Sequence, residues 1–91
     1  MAFTDAEIAE AHAAVRVEAH SDDLYRLGLI YATGQGDSAD IVQAHMWFNL
    51  AAMRGSDAAK ESRRDLATQM STAEIAQAQK LAREWLSTAR H

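Results

Sequence analysis

Residues 27–55 read LGLIYATGQGDSADIVQAHMWFNLAAMRG, in which two apolar segments flank a Gly-Gln-Gly break at 34–36. Glycines of this kind end helices, and Gly55 stands where a helix commonly ends in the left-handed conformation. Asp40 or Ser38 is a candidate N-cap for the second segment. The stretch therefore predicts two helices joined by a turn.

Capping signals extend this helical pattern over the whole chain. Helix starts are indicated by the capping boxes Thr4-x-x-Glu7 and Ser71-x-x-Glu74 and by Ser21 and Ser56, which precede acidic residues. Five helices are predicted, at 4–19, 22–33, 40–54, 57–70 and 72–89. Because the connections are short, neighbouring helices should be antiparallel.

The composition agrees with an all-α domain of 91 residues. Alanine contributes 20 residues whereas valine, isoleucine and leucine together contribute 14, and there is no proline. The absence of cysteine excludes disulfides and thiolate sites, so packing alone must hold the chain together. A net charge of -4 without a basic patch disfavours nucleic-acid binding. No apolar stretch is long enough for a membrane span, so we expect no membrane partner and a cytoplasmic location.

The apolar faces predict which helices are interior. The last helix has one apolar arc opposite Lys80, Arg83 and Glu84, so one of its faces should be exposed to water. The second helix has only one plainly polar side, at Arg26, so it should be interior. The third helix should be sandwiched, because it carries two apolar arcs, one of Ile41, Ala44, Trp47, Phe48, Ala51 and Ala52 and the other of Val42, Met46, Leu50 and Met53.

The spacing within the central stretch closely resembles the Sel-one-like repeat, a relative of the tetratricopeptide repeat. The matching signature is Leu27, Gly28, Tyr31, Gly34, Gly36, Asp40, Ala44, Trp47, Phe48, Ala51, Ala52 and Gly55. The resemblance implies a short α-α superhelix, a solenoid of about five antiparallel helices in one domain. It implies a full repeat at 22–55, preceded by an N-terminal helix at 4–19 and followed by a degenerate repeat or cap at 56–89.

Small residues in this signature also have a direct physical interpretation. Gly28 lacks a Cβ and allows a neighbouring helix to approach closely, at a helix-propensity cost of about 1 kcal/mol relative to alanine. Trp47 and Phe48 are the bulky groups for which the small residues make room.

Chemical motifs are sparse. The four histidines, His12, His20, His45 and His91, show no spacing that pairs two ligands on one helix face, so we expect solvated or capping histidines and no metal. No catalytic residues and no cofactor are predicted. A remote alternative, a small-ligand or enzymatic accessory domain, would need His45, Asn49 and acidic residues to converge in space.

The resemblance implies a non-catalytic adaptor that presents a helical surface to a protein or peptide partner. The candidate partner surface consists of Tyr25, Arg26 and Leu29 on the second helix and Met46, Leu50 and Met53 on the third. For the stripe on the third helix, packing inside the domain is the favoured alternative. A self-associating assembly subunit, such as a homodimer, is the second hypothesis, because so short a stack leaves apolar end faces to cover.

Overall fold

The computed structural model describes residues 3–34 and 40–88, and these ranges contain five α-helices and no strand. All five predicted helices are confirmed, with small differences at their ends. Gly36, Ser38, Ala89 and His91 lie outside the described residues. The helices are α1 (Asp5–Val17), α2 (Ser21–Thr33), α3 (Ile41–Met53), α4 (Asp57–Ala67) and α5 (Thr72–Thr88).

Four of the five helices begin at the side-chain caps that the sequence predicts. The capping boxes at Thr4 and Ser71 are complete. The hydroxyl of each capping residue accepts a hydrogen bond from the backbone N–H of the glutamate three residues later. The carboxylate of that glutamate in turn accepts one from the backbone N–H of the capping residue. Asp40 and Ser56 cap α3 and α4 in the same way, through a single bond each. These bonds satisfy backbone donors that a helix start otherwise leaves unpaired.

The predicted cap at Ser21 is wrong. Helix α2 begins at Ser21 itself, and His20 occupies the N-cap position without a side-chain hydrogen bond. Because the backbone of Ser21 is already helical, its hydroxyl is not in the position from which an N-cap residue accepts. Asp22 and Asp23 lie in the first turn, where their charges interact favourably with the positive end of the helix dipole.

Two glycines end helices as predicted. Gly34 is the C-cap of α2 with φ 78°, and Gly55 follows α3 with φ 100°. At the end of α3 the N–H of Ser56 donates to the carbonyl of Ala51, and the N–H of Gly55 donates to that of Ala52. This pair of bonds is a Schellman motif, which requires a left-handed residue at position 55.

Helix α3 is the centre of the domain. It packs against α2, α4 and α5, whereas α1 packs against α2. The predicted sandwich is thereby confirmed for most of the helix, and the short connections make successive packed helices antiparallel. The opposite, polar face of α5 is exposed, also as predicted. Buried residues of α3 are Ala44, His45, Met46, Trp47, Phe48, Leu50, Ala51 and Ala52.

Close packing of α2 on α3 depends on the pairing of a glycine with an aromatic ring. A Cβ atom built on Gly28 would overlap the ring of Phe48. Phe48 is 2% exposed and Leu27, beside the glycine, is fully buried. The predicted role of Gly28 as a point of close approach is therefore confirmed.

A second group of aromatic rings joins α1, α2, α3 and α5. The imidazole of His12 meets the rings of Tyr31 and Trp47 edge to face, with centroids 6.0 Å apart in both cases. Trp47 in turn meets Trp85 edge to face at 5.8 Å. Such pairs add to the energy of apolar burial and fix the rotation of each helix.

Candidate functional site

An open groove with a volume of about 380 Å³ lies between α2 and α4. Helix α3 forms its floor through Phe48, which the other helices bury almost completely. The lining is mostly apolar, with polar groups from α4 and the turn after it, and consists of Leu29, Ala32, Ile41, Phe48, Ser62, Asp65, Leu66 and Gln69. Concave, apolar surfaces with a few polar groups are typical of binding sites.

Tyr25 stands at one end of this groove. Its ring lies against that of Phe48 with centroids 5.6 Å apart, and its hydroxyl is 3.5 Å from Oγ of Ser62. The half-buried tyrosine therefore links the first half of α2 to the middle of α4. Leu29, one turn further along α2, is half-buried and lines the groove itself. The structure thus brings these two predicted surface residues to one site.

Arg26, the third predicted residue on α2, does not line the groove. Its guanidinium lies 3.8 Å from a carboxylate oxygen of Glu10 on α1 and 3.8 Å from one of Asp23. Adjacent residues on a helix point about 100° apart, so Tyr25 and Arg26 face different neighbours.

The methionine stripe of α3 is divided in the structure. Met46 and Leu50 are 5% and 2% exposed, so their assignment to a partner surface is wrong and the core alternative is correct. Both side chains fall within the apolar face that the neighbouring helices cover. Met53 is 60% exposed, because it lies at the last residue of α3, where covering by neighbouring helices ends.

Helix α4 and the turn that follows it supply groove residues that were not predicted from the sequence. Ser62 and Asp65 lie on α4, Gln69 lies just after its end, and all three line the groove. The i, i+3 spacing of Ser62 and Asp65 places them on one face of α4, but polar residues at this spacing do not stand out when only apolar arcs are traced. Asp65 is the one charged residue among the described lining residues, and it gives the groove an acidic edge.

His12 and His45 differ from the expectation of solvated or capping histidines. His12 is half-buried, and its Nε2 lies 3.0 Å from the hydroxyl of Tyr31. Burial lowers the pKa of His12, and the positive charge of Arg16 lowers it further. Burial raises the pKa of Tyr31, with a second contribution from Asp40. Both side chains are thus uncharged at neutral pH. The prediction of a solvated or capping histidine is wrong for His12, because its position opposite Tyr31 is shielded from water.

His45 is 4% exposed, and its Nδ1 has no hydrogen-bond partner among the described residues. Burial lowers its pKa, and the nearby positive charge of Arg63 lowers it further. Nη1 of Arg63 donates to Oδ1 of Asn49 at 2.6 Å. The charged residue described beside Asn49 is therefore the cation Arg63 and not one of the acidic residues that the enzymatic alternative requires.

His20 is exposed and lies 3.3 Å from a carboxylate oxygen of Glu18. It occupies the N-cap position of α2 but makes no capping bond through its side chain. Within residues 3–34 and 40–88, no three side chains of the types that bind metals form a group able to hold an ion. None of the described helices is both long and apolar enough to cross a membrane.

Residues 21–56 match the family model of the Sel1 repeat. The chain therefore contains one Sel1 repeat. This repeat is a helical module of the tetratricopeptide-repeat-like superfamily, in agreement with the all-helical structure of the described residues. No curated protein and no solved structure matches the chain in the corresponding comparisons.

The Sel1 repeat corresponds to α2, α3 and the capping residue of α4. The groove is thus formed where the repeat meets the following helix, with α4 supplying one wall. The assignment of the remaining chain to an N-terminal helix and a degenerate repeat or cap stays a prediction. Sel1 repeats are helical modules for protein interaction and their families are generally non-catalytic.

Proposed function

We propose that this Sel1-like repeat protein is a non-catalytic adaptor whose groove between α2 and α4 binds a peptide segment of a partner protein. The observation that carries this proposal is the half-buried apolar side chain of Leu29, which lines an open groove with Phe48 as its floor. The groove walls are already positioned by helix packing and by the Tyr25–Ser62 contact. Binding therefore requires little change of the backbone, which limits the entropy cost.

The chemistry of the groove favours a partner segment with an apolar anchor next to a basic residue. Leu29, Ala32 and Leu66 provide contacts for an aliphatic or aromatic side chain. Asp65 provides a negative charge at the edge, and Glu61 lies one turn before it on α4. A lysine or arginine near the anchor complements this edge, and complementary charge contributes to specificity.

The test is selection of binders from a displayed peptide library, followed by affinity measurement through fluorescence anisotropy. We expect selected peptides to combine an apolar residue with a nearby lysine or arginine. Leu29→Glu places a charge in the groove and should weaken binding by about tenfold or more. Asp65→Lys should change the preference toward peptides with acidic residues. Lys80→Glu, on the exposed face of α5, is the matched control and should bind as the wild type does.

Two outcomes would contradict the groove as the binding site. One is equal affinity of the selected peptides for the wild type and for Leu29→Glu, when circular dichroism shows that both are folded. The other is a set of selected peptides in which basic residues are no more frequent than in the starting library.

The homodimer remains the second hypothesis for how the protein acts. Sedimentation over a range of concentrations distinguishes it from the adaptor, since a mass that rises with concentration indicates self-association. The groove proposal predicts that the mass does not depend on Leu29, whereas a dimer that uses the groove would dissociate in Leu29→Glu.

A further inference from the structure

A cation without a carboxylate partner lies on the side of α4 that does not line the groove. Arg63 is half-buried, and among residues 3–34 and 40–88 no carboxylate oxygen lies within 4.0 Å of its guanidinium. Its single described hydrogen bond is the 2.6 Å contact to Asn49. Lys60, one turn earlier, is paired with Asp57 at 3.5 Å. Arg63 therefore differs from Lys60 in having no carboxylate within ion-pair distance among the described residues.

The hydrogen bond to Asn49 fixes the direction of the guanidinium. It occupies one N–H of Nη1, so further donors remain on the planar group. Holding a long side chain in one orientation reduces the entropy that is lost when a ligand binds. Asn49 is half-buried on α3, one turn after the buried His45.

His45 lies one turn before Asn49 on the same face of α3 and carries an unsatisfied polar group. Its Nδ1 is buried without a described partner, and leaving such a group unpaired is costly. The cluster thus joins a fixed cation and an unpaired polar ring without a described anion to balance them.

We propose that Arg63 and Asn49, next to the buried His45, form a binding site for a carboxylate. The planar guanidinium matches the two oxygens of a carboxylate, and one monoanion balances the one uncompensated charge. A phosphate dianion fits less well, because the single charge of Arg63 cannot balance it. This site does not depend on the groove, and failure of the groove tests would leave it unaffected.

The carboxylate has two sources in a partner protein, an acidic side chain or a chain terminus. Two short peptides separate them: one with a single internal glutamate and an amidated C-terminus, and one without acidic residues but with a free C-terminus. Sodium acetate tests the shared chemistry without the rest of a peptide, and sodium chloride at equal ionic strength controls for screening.

The measurement is NMR titration of the side-chain signals of Arg63, Asn49 and His45. We expect saturable shifts with acetate and with at least one peptide, but not with chloride. Arg63→Gln keeps an N–H donor for Asn49 while it removes the charge, and it should weaken binding by about tenfold or more. Arg64→Gln removes the same charge from an exposed neighbouring position and should leave the affinity unchanged.

Arg63→Lys distinguishes charge from geometry, since lysine keeps the charge but not the planar pair of donors. Intermediate affinity in this variant supports carboxylate recognition. The proposal is overturned if acetate causes no shift beyond that of chloride, or if Arg63→Gln and Arg64→Gln lose binding equally. A stronger response to inorganic phosphate than to acetate would also overturn the assignment to a carboxylate.

Discussion

The ring of Phe48 occupies the position that a Cβ atom on Gly28 would take. Helix propensity alone predicts that Gly28→Ala stabilises α2 by about 1 kcal/mol. Phe48 is 2% exposed and also packs against Tyr25, so it cannot move aside freely. Overpacking of a core costs about 1–3 kcal/mol. We therefore expect a lower free energy of unfolding in Gly28→Ala, measured by urea denaturation.

A double-mutant cycle provides the control for this pair. Phe48→Leu removes the ring, so adding Gly28→Ala to that variant should cost less than it does in the wild type. Additive effects of the two substitutions would show that the ring and residue 28 do not interact. A stabilising Gly28→Ala would contradict the packing directly.

Trp47→Ala tests the aromatic group that joins four helices. Trp47 is 5% exposed and meets both His12 and Trp85 edge to face. Removing a buried indole leaves a cavity and should lower the free energy of unfolding by roughly 3–5 kcal/mol. The measurement is a thermal or urea transition followed by circular dichroism. An unchanged melting temperature would show that Trp47 is not part of the core.

The sequence was sufficient to predict the helices, because their caps and glycines act locally. Thr4, Asp40 and Gly55 each specify a helix end through backbone geometry within a few residues. The small size of Gly28 likewise predicted that it makes room for a large aromatic residue. These features depend on spacing along one chain segment.

The candidate site was only partly predictable, since it depends on which helices meet. Leu29 was predicted, but Ser62 and Asp65 become groove residues only when α4 packs beside α2. Met46 and Leu50 illustrate the converse, because an apolar stripe has the same pattern whether a neighbouring helix or a partner covers it. The assignment of these residues to the groove or to the core therefore depends on which helices pack together, and periodicity along the sequence does not reveal this.

Three serines near helix starts have similar sequence surroundings but should differ in their contribution to stability. Ser56 and Ser71 accept from backbone N–H groups, whereas Ser21 does not cap α2. Alanine at either capping position should lower the free energy of unfolding by about 1 kcal/mol. Ser21→Ala should change it by less than about 0.5 kcal/mol. Urea denaturation of the three variants measures this difference, and a cost at Ser21 equal to that at Ser71 would contradict the observed start of α2.

The buried histidines make stability depend on pH. The pKa of His12 and that of His45 are lowered from 6.5 mainly by burial, so both rings stay neutral in the folded protein when the unfolded chain begins to protonate. The unfolded state then binds more protons, and the free energy of unfolding decreases as pH falls below 6.5. The stabilising contribution is fully present above that pH.

The expected result is a lower urea midpoint at about pH 5.5 than at about pH 7.5, the range in which histidine titrates. The carboxyl group of Glu7 does not interfere, because its hydrogen bonds with Thr4 lower its pKa from 4.5. His45→Gln should reduce the difference between the two midpoints, since glutamine does not titrate. His20→Gln, at an exposed position, is the matched control and should preserve the difference. If the wild-type midpoint were equal or higher at the lower pH, the two buried rings could not be neutral in the folded state.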